Sequence, residues 1–171
     1  MSTRRFPAVV DEITVRLVAA VVLSLAVIAL ATQQWWLYLL LAADFVTRSV
    51  VGPRWSPVAR LVQQWVRPAV PTQPVLVPGA PKRFAAAIGA ALTSAAVILW
   101  LVHATTGSSG AAVGLVVVAV ALVVFPALEA VFGLCVGCRL FAGLVRLGLV
   151  PESICLECAD IRRRQRVVAI P

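Results

Sequence analysis

Four apolar stretches, separated by turns and by clusters of arginine, decide what this chain can become. Residues 13–31 are apolar apart from Arg16, and 35–51 open with Trp35, Trp36 and Tyr38. Residues 84–103 follow Lys82 and Arg83, and 111–131 follow a turn from Thr105 to Gly110. A helix rises about 1.5 Å per residue and bilayer hydrocarbon is about 30 Å thick, so about twenty apolar residues cross it. With 61% hydrophobic and 13% charged residues, against about 25% charged in soluble domains, the 171 residues are an integral membrane protein by composition. The expected fold is all-α and polytopic: four transmembrane helices in a single membrane domain, 1–171.

The first helix has a competing reading as a signal peptide, because Arg4 and Arg5 precede an apolar run ending Ala29-Leu30-Ala31. Asp11 and Glu12 interrupt that basic leader, and a second apolar run starts almost at once. The second helix has the shortest uncharged portion, ending at Asp44, so a re-entrant hairpin competes with a full crossing in which Arg48 snorkels to water. Its opening aromatics, Trp35, Trp36 and Tyr38, are placed where amphipathic rings mark a membrane interface. The fourth helix carries Pro126 and has the option of continuing, bent, to 149.

Between the hairpins the pattern changes. Ser56 and Pro57 suit a helix start, and Val58, Leu61, Val62, Trp65 and Val66 recur at helical spacing opposite Arg60, Gln63, Gln64 and Arg67. That predicts an amphipathic helix at 56–67 lying in the headgroup plane, its aliphatic side down. Pro68, Pro71, Pro74, Pro78 and Pro81 predict an extended linker over 68–81. In the third helix, Ala85 with Gly89, and Ala87 with Ala91 and Ala95, allow a neighbour to approach closely.

The chemistry is concentrated in sulfur. The four cysteines fall in two identical spacings, Cys135-Val136-Gly137-Cys138 and Cys155-Leu156-Glu157-Cys158, with sixteen residues between. This fits a four-thiolate zinc site and fits equally a pair of redox dithiols. The second pair is expected in a cytoplasmic hairpin within a tail at 151–171, which also holds Arg162, Arg163, Arg164 and Arg166. On a regular helix, residues three apart hold their β-carbons about 5 to 6 Å apart, whereas a disulfide wants about 3.8 Å. Cys135 and Cys138 therefore need either a relaxed turn, to which Gly133 and Gly137 contribute, or a bridging metal.

The formal charge of +8 is a topology signal and not a nucleic-acid footprint, since no basic stripe is interleaved with base-stacking aromatics. All 15 Lys and Arg fall on one side of a four-helix arrangement or in the adjoining helix ends, which predicts that both termini and both cysteine pairs are cytoplasmic. Cytosolic thiols are kept reduced, so a reversible dithiol or a metal site is favoured over a permanent disulfide. Arg16, Asp44, Arg48 and Glu129 lie at the cationic helix ends and are expected to meet beneath the cysteines, as an ion-paired cluster or as a proton route. His103, the single histidine, is placed at the opposite end and read as an interfacial residue. No phosphate loop, nucleophile elbow or paired glycosidic carboxylates point to a hydrolase or transferase.

Several stretches resemble the bacterial membrane family catalogued as domain of unknown function four-three-nine-five. They are Asp44-Phe45 with Arg48; Ser56-Pro57; Pro81-Lys82-Arg83-Phe84-Ala85 with Ile88-Gly89; and Glu129-Ala130-Val131-Phe132-Gly133-Leu134-Cys135-Val136-Gly137-Cys138. The segment from Arg146 through Cys155 to Cys158 extends the similarity, which leaves out the arginine-rich end. The resemblance implies a multi-helix protein of the bacterial plasma membrane, some of whose relatives carry only the first cysteine pair. The family resemblance carries no established activity; its members are sometimes found alongside thioredoxin-like or sulfurtransferase proteins, which favours thiol or sulfur chemistry. The leading expectation is a membrane thiol–disulfide redox partner using Cys135, Cys138, Cys155 and Cys158, the exposed second pair receiving electrons first. The alternatives are zinc or another thiophilic metal held by the same four residues, and a non-catalytic scaffold.

Overall fold

The computed structural model describes Pro7 and residues 9–149, and it is mostly helical. A short strand, β1 (Val9–Asp11), leads into α1 (Glu12–Thr32). A tight turn at Gln33 and Gln34 reverses the chain into α2 (Trp35–Val50). After a 3-10 turn at Pro53–Trp55 come α3 (Pro57–Leu61), a π-helical turn at Val62–Val66 and a second 3-10 turn at Arg67–Ala69. Strand β2 (Leu76–Pro78) feeds α4 (Gly79–Thr106), and the last elements are α5 (Ser109–Phe132) and α6 (Val136–Arg146).

Three helices, α1, α4 and α5, are long and apolar enough to cross a membrane. The second expected crossing is a helix, but its 16 residues extend only about 24 Å, short of the hydrocarbon thickness. It packs mainly along α4, while α5 lies against both α1 and α4. The core between them is built from small and branched side chains, including Val22, Ala26, Leu41, Ala96 and Ala119. Trp35 and Trp36 are exposed, whereas Tyr38 is buried at 4% exposure. Tyr38 shares a helical face with Leu41, Ala42 and Phe45, which α2 turns toward the bundle, so this ring belongs to the core and not to an aromatic belt.

The connection between α2 and α4 departs from both sequence expectations. The segment at 56–67 is not one regular helix, and its apolar side is divided. Val58, Ala59 and Val62 are buried, whereas Leu61 and Trp65 are 51% and 77% exposed. Leading into it, Ser56 Oγ caps α3 by accepting from Ala59 N–H at 3.0 Å. The proline-rich segment is also ordered, because β2 pairs antiparallel with β1, Val10 opposite Val77. Asp11 fastens that pairing. Its carboxylate accepts from Val75 N–H at 3.0 Å, Arg67 Nε at 2.9 Å and Thr14 Oγ1 at 2.7 Å while capping α1. Pro81 does not keep the helix from starting at Gly79, since the first-turn N–H groups of a helix have no intrahelical partner to lose.

The fourth expected crossing is α5, which stops at Phe132 and does not run on to 149. Gly133 takes φ 67°, a left-handed conformation that glycine adopts without a Cβ clash. Leu134 N–H reaches back to Leu128 O at 3.1 Å, which closes the helix end. The expected continuation is a separate helix, α6, set against α4.

Candidate thiol site

The stop at Gly133 gives the first cysteine pair its geometry. Cys135 is the N-cap residue of α6, in an extended conformation with φ −84° and ψ 108°, and its carbonyl accepts the first helical bond from Arg139 N–H at 3.1 Å. Cys138 is the third residue of that helix. The pair is therefore not held on a regular helical rise, and the two thiols are hydrogen-bonded to one another. Both are free thiols; Cys135 is buried at 8% exposure and Cys138 is half-buried. Gly137 permits the seating, because a Cβ there would stand 2.6 Å from the Cα of Ala85 on α4.

The electrostatics separate the two sulfurs. The hydrogen bond from the Cys138 thiol holds Cys135 below its ordinary value, and it outweighs burial and the neighbouring Glu129 carboxylate, with the Lys82 ammonium helping. The N-terminal end of α6 favours a thiolate in the same sense. Cys138 donates that bond and is itself buried, so its proton is held far more tightly than in an ordinary thiol.

Around the thiols, Lys82 of α4 pairs with Glu129 of α5, Nζ to Oε1 at 2.6 Å. Arg16 of α1 donates to Ala130 O at 3.1 Å and Val131 O at 2.9 Å, satisfying carbonyls at the end of α5 where the helix dipole is negative. Asp44, 1% exposed, is held by Arg48 one turn on, by Ser56 Oγ at 2.5 Å and by Val58 N–H at 3.0 Å. Two adjoining cavities open here. An inner one of about 90 Å³ is lined by Val22, Phe125, Arg48, Glu129 and Cys135. An outer one of about 400 Å³ is lined by Asp11, Arg54, Gln63, Arg48, Lys82 and Glu129.

Of the expected charges, Arg48 and Glu129 both line the inner cavity that reaches Cys135, while Asp44 pairs with Arg48 and Arg16 holds the end of α5. Lys82 is a site residue that its sequence position does not announce. Its partner is 47 positions away, and the only sequence signal was its place in the family-like segment Pro81-Lys82-Arg83-Phe84-Ala85. His103 sits at the far end of α4, its Nδ1 3.1 Å from Ser108 O. Cys155, Cys158 and the basic tail lie outside the described residues, so the second pair and its hairpin are not placed. Among the described residues no three His, Cys, Asp or Glu side chains come together as a metal site.

Apolar helices of membrane-crossing length, gathered around a polar pocket with a dithiol at its edge, define a helical membrane protein. The chain belongs to the family described as Domain of unknown function (DUF4395), whose family model matches residues 10–146. That match takes in Cys135 and Cys138 but ends before Cys155. No curated protein and no solved structure matches the chain.

Proposed function

We propose that this protein exchanges thiols and disulfides at Cys135 and Cys138, on the cytoplasmic side of a bacterial plasma membrane. One observation carries the reading: Cys135 is the N-cap of α6 with its thiol bonded to Cys138, and it faces a cavity. The Cys135 thiolate attacks one sulfur of a partner disulfide and forms a mixed disulfide, while the other partner sulfur leaves as a thiol after gaining a proton. Cys138 then gives up its proton and displaces the partner, which leaves as its second thiol. The product is a Cys135–Cys138 disulfide. Glu129, beside the cavity, is the carboxylate positioned to take the Cys138 proton. Cys155 and Cys158 stand as the second pair, receiving electrons from a thioredoxin-like or sulfurtransferase protein and passing them to the first.

The cytoplasmic assignment rests on charge. Arg16, Arg48, Lys82 and Arg83 sit at one end of the helices, with Arg83 Nε bonded to Ser49 O at 2.8 Å, and the turns at the other end carry no Lys or Arg. A second reading has the sixteen-residue spacing between the pairs in its favour: four thiolates closing a zinc site. Both are tested on one sample. Purified chain carrying Cys138→Ser is expected to retain a partner through Cys135, and wild type is expected to show titratable thiols without bound metal. About one zinc per chain, with no captured partner, would overturn thiol exchange in favour of metal binding.

A further inference from the structure

The two cavities share Val15, Phe45, Arg48, Ala85 and Glu129, so they adjoin along one wall. The outer one lies within the range of small-molecule sites, about 300 to 1,000 Å³. The inner one is walled by side chains of the long helices, Val22, Leu92, Leu122 and Phe125, and it reaches Cys135. Two polar features stand on this wall. Glu129 touches both cavities, and Arg48 Nε is buried without a hydrogen-bond partner among the described residues, although the same guanidinium holds Asp44. At the wall shared by the two cavities a soluble anion finds little net charge, because Asp44 and Glu129 already neutralise Arg48 and Lys82, and Arg54 lines only the outer cavity. A flat, apolar molecule with a carbonyl oxygen finds both a slot and a donor.

We propose that the joined cavities bind a lipid-soluble quinone, one carbonyl oxygen accepting from the Arg48 guanidinium, which lines both cavities, and that this quinone takes the electrons of the Cys135/Cys138 dithiol. The inference rests on the thiol-exchange reading and gives the reduced pair a second acceptor beside the partner disulfide. Both S–H bonds break and one S–S bond forms. The two electrons and two protons convert the quinone's two carbonyls to the hydroxyls of the hydroquinone. Glu129, present at both cavities, is the group placed to hand a thiol proton toward the quinone oxygen.

The test uses full-length chain, reduced in detergent, and a fully substituted decyl benzoquinone, to whose ring thiols do not add. Quinone absorbance and alkylatable thiols are followed together, with hydroxyethyl disulfide as a second oxidant. The expected result is one quinone reduced for each pair of thiols lost, and no reduction when Cys135 and Cys138 are both replaced by Ser. Arg48→Lys keeps a charge for Asp44 but removes the guanidinium fork, so one group can no longer hold both the carboxylate and the quinone oxygen, and should raise the quinone concentration for half-maximal rate about tenfold. Should that variant fail to assemble, Phe125→Trp, which fills the inner cavity, should raise it similarly. Oxidation by the disulfide but not by the quinone overturns the quinone site and leaves thiol exchange standing. Oxidation by neither overturns both, and a quinone dependence unmoved in an assembled variant overturns the placement.

Discussion

The two ends of the helix bundle solve their polar problems differently. At the uncharged end, hydrogen bonds stay within a few residues: Thr32 Oγ1 to Ile28 O, Gln33 Nε2 to Leu30 O, Thr105 Oγ1 to Leu101 O, and His103 with Ser108 O. Contact between helices there includes the stacked rings of Trp35 and Trp100, 5.0 Å apart. At the cationic end, polar ties join distant parts of the chain: Arg16 to the end of α5, Lys82 to Glu129, Ser56 to Asp44, and Arg67 to Asp11. Local bonds satisfy a helix terminus, but they do not fix one helix against another. The end that holds the sulfur is the one whose relative helix positions are specified by directional contacts.

The largest effect that separates the ends is chemical. Cys135→Ser should abolish disulfide exchange, a loss of at least about a hundredfold, because a hydroxyl does not replace a thiolate nucleophile. A small rate change in a disulfide-reduction assay would remove the distinction. Next comes stability. Asp44→Ala leaves Arg48 without its carboxylate partner and frees Ser56 Oγ and Val58 N–H, which should cost about 3 kcal/mol. Ser108→Ala at the opposite end, where the hydroxyl caps α5, should cost only about 1 kcal/mol. Thermal unfolding of both variants in one detergent compares them directly, and equal losses would mean the ends are equally braced.

A subtler contrast lies in the site's electrostatics. Lys82→Met removes a cation that favours the Cys135 thiolate, and Glu129→Gln removes an anion that opposes it. Alkylation of Cys135 at neutral pH should slow several-fold in the first and quicken in the second. In wild type, its rate should reach half-maximum below the ordinary thiol value of 9.0. Rates that move in the same direction in both variants would contradict this arrangement.

The smallest effect expected is at Asp11. Burial pushes its carboxyl upward, but bonds from Thr14, Arg67, Val75 and Ile13 outweigh this and hold it below its ordinary 3.8. The folded value is thus the lower one, so the clasp contributes stability above pH 3.8 and loses it as pH falls through the folded value. Asp11→Asn should unfold slightly earlier than wild type near neutral pH, by about 1 kcal/mol or less, and the gap should close in acid. A gap that widens in acid would show that another group governs.

Much of this was legible in the residues themselves. Apolar runs located the long helices, Ser56 announced its cap, and Asp44 with Arg48 stood one turn apart. What escaped was what depends on the folded path. Gly133 and Gly137 have the spacing of a helix-packing motif, but one ends α5 and the other lets α6 touch Ala85, so the cysteines are at a helix start and not within a long helix. Lys82 looked like one cation among fifteen until α4 and α5 brought it to Glu129. The prolines of 68–81 point to an extended linker, but nothing local shows that Leu76–Pro78 finds Val9–Asp11 as a partner strand or that α4 starts as early as Gly79.

The guanidinium of Arg16, resting on the carbonyls of Ala130 and Val131, has one more implication. It stays charged across the physiological range, and main-chain oxygens neither ionise nor change oxidation state. The latch between the first and last long helices is therefore indifferent to whatever protons or electrons the cysteines gain or lose. The sulfur cradle can cycle through its states on a frame that does not register them.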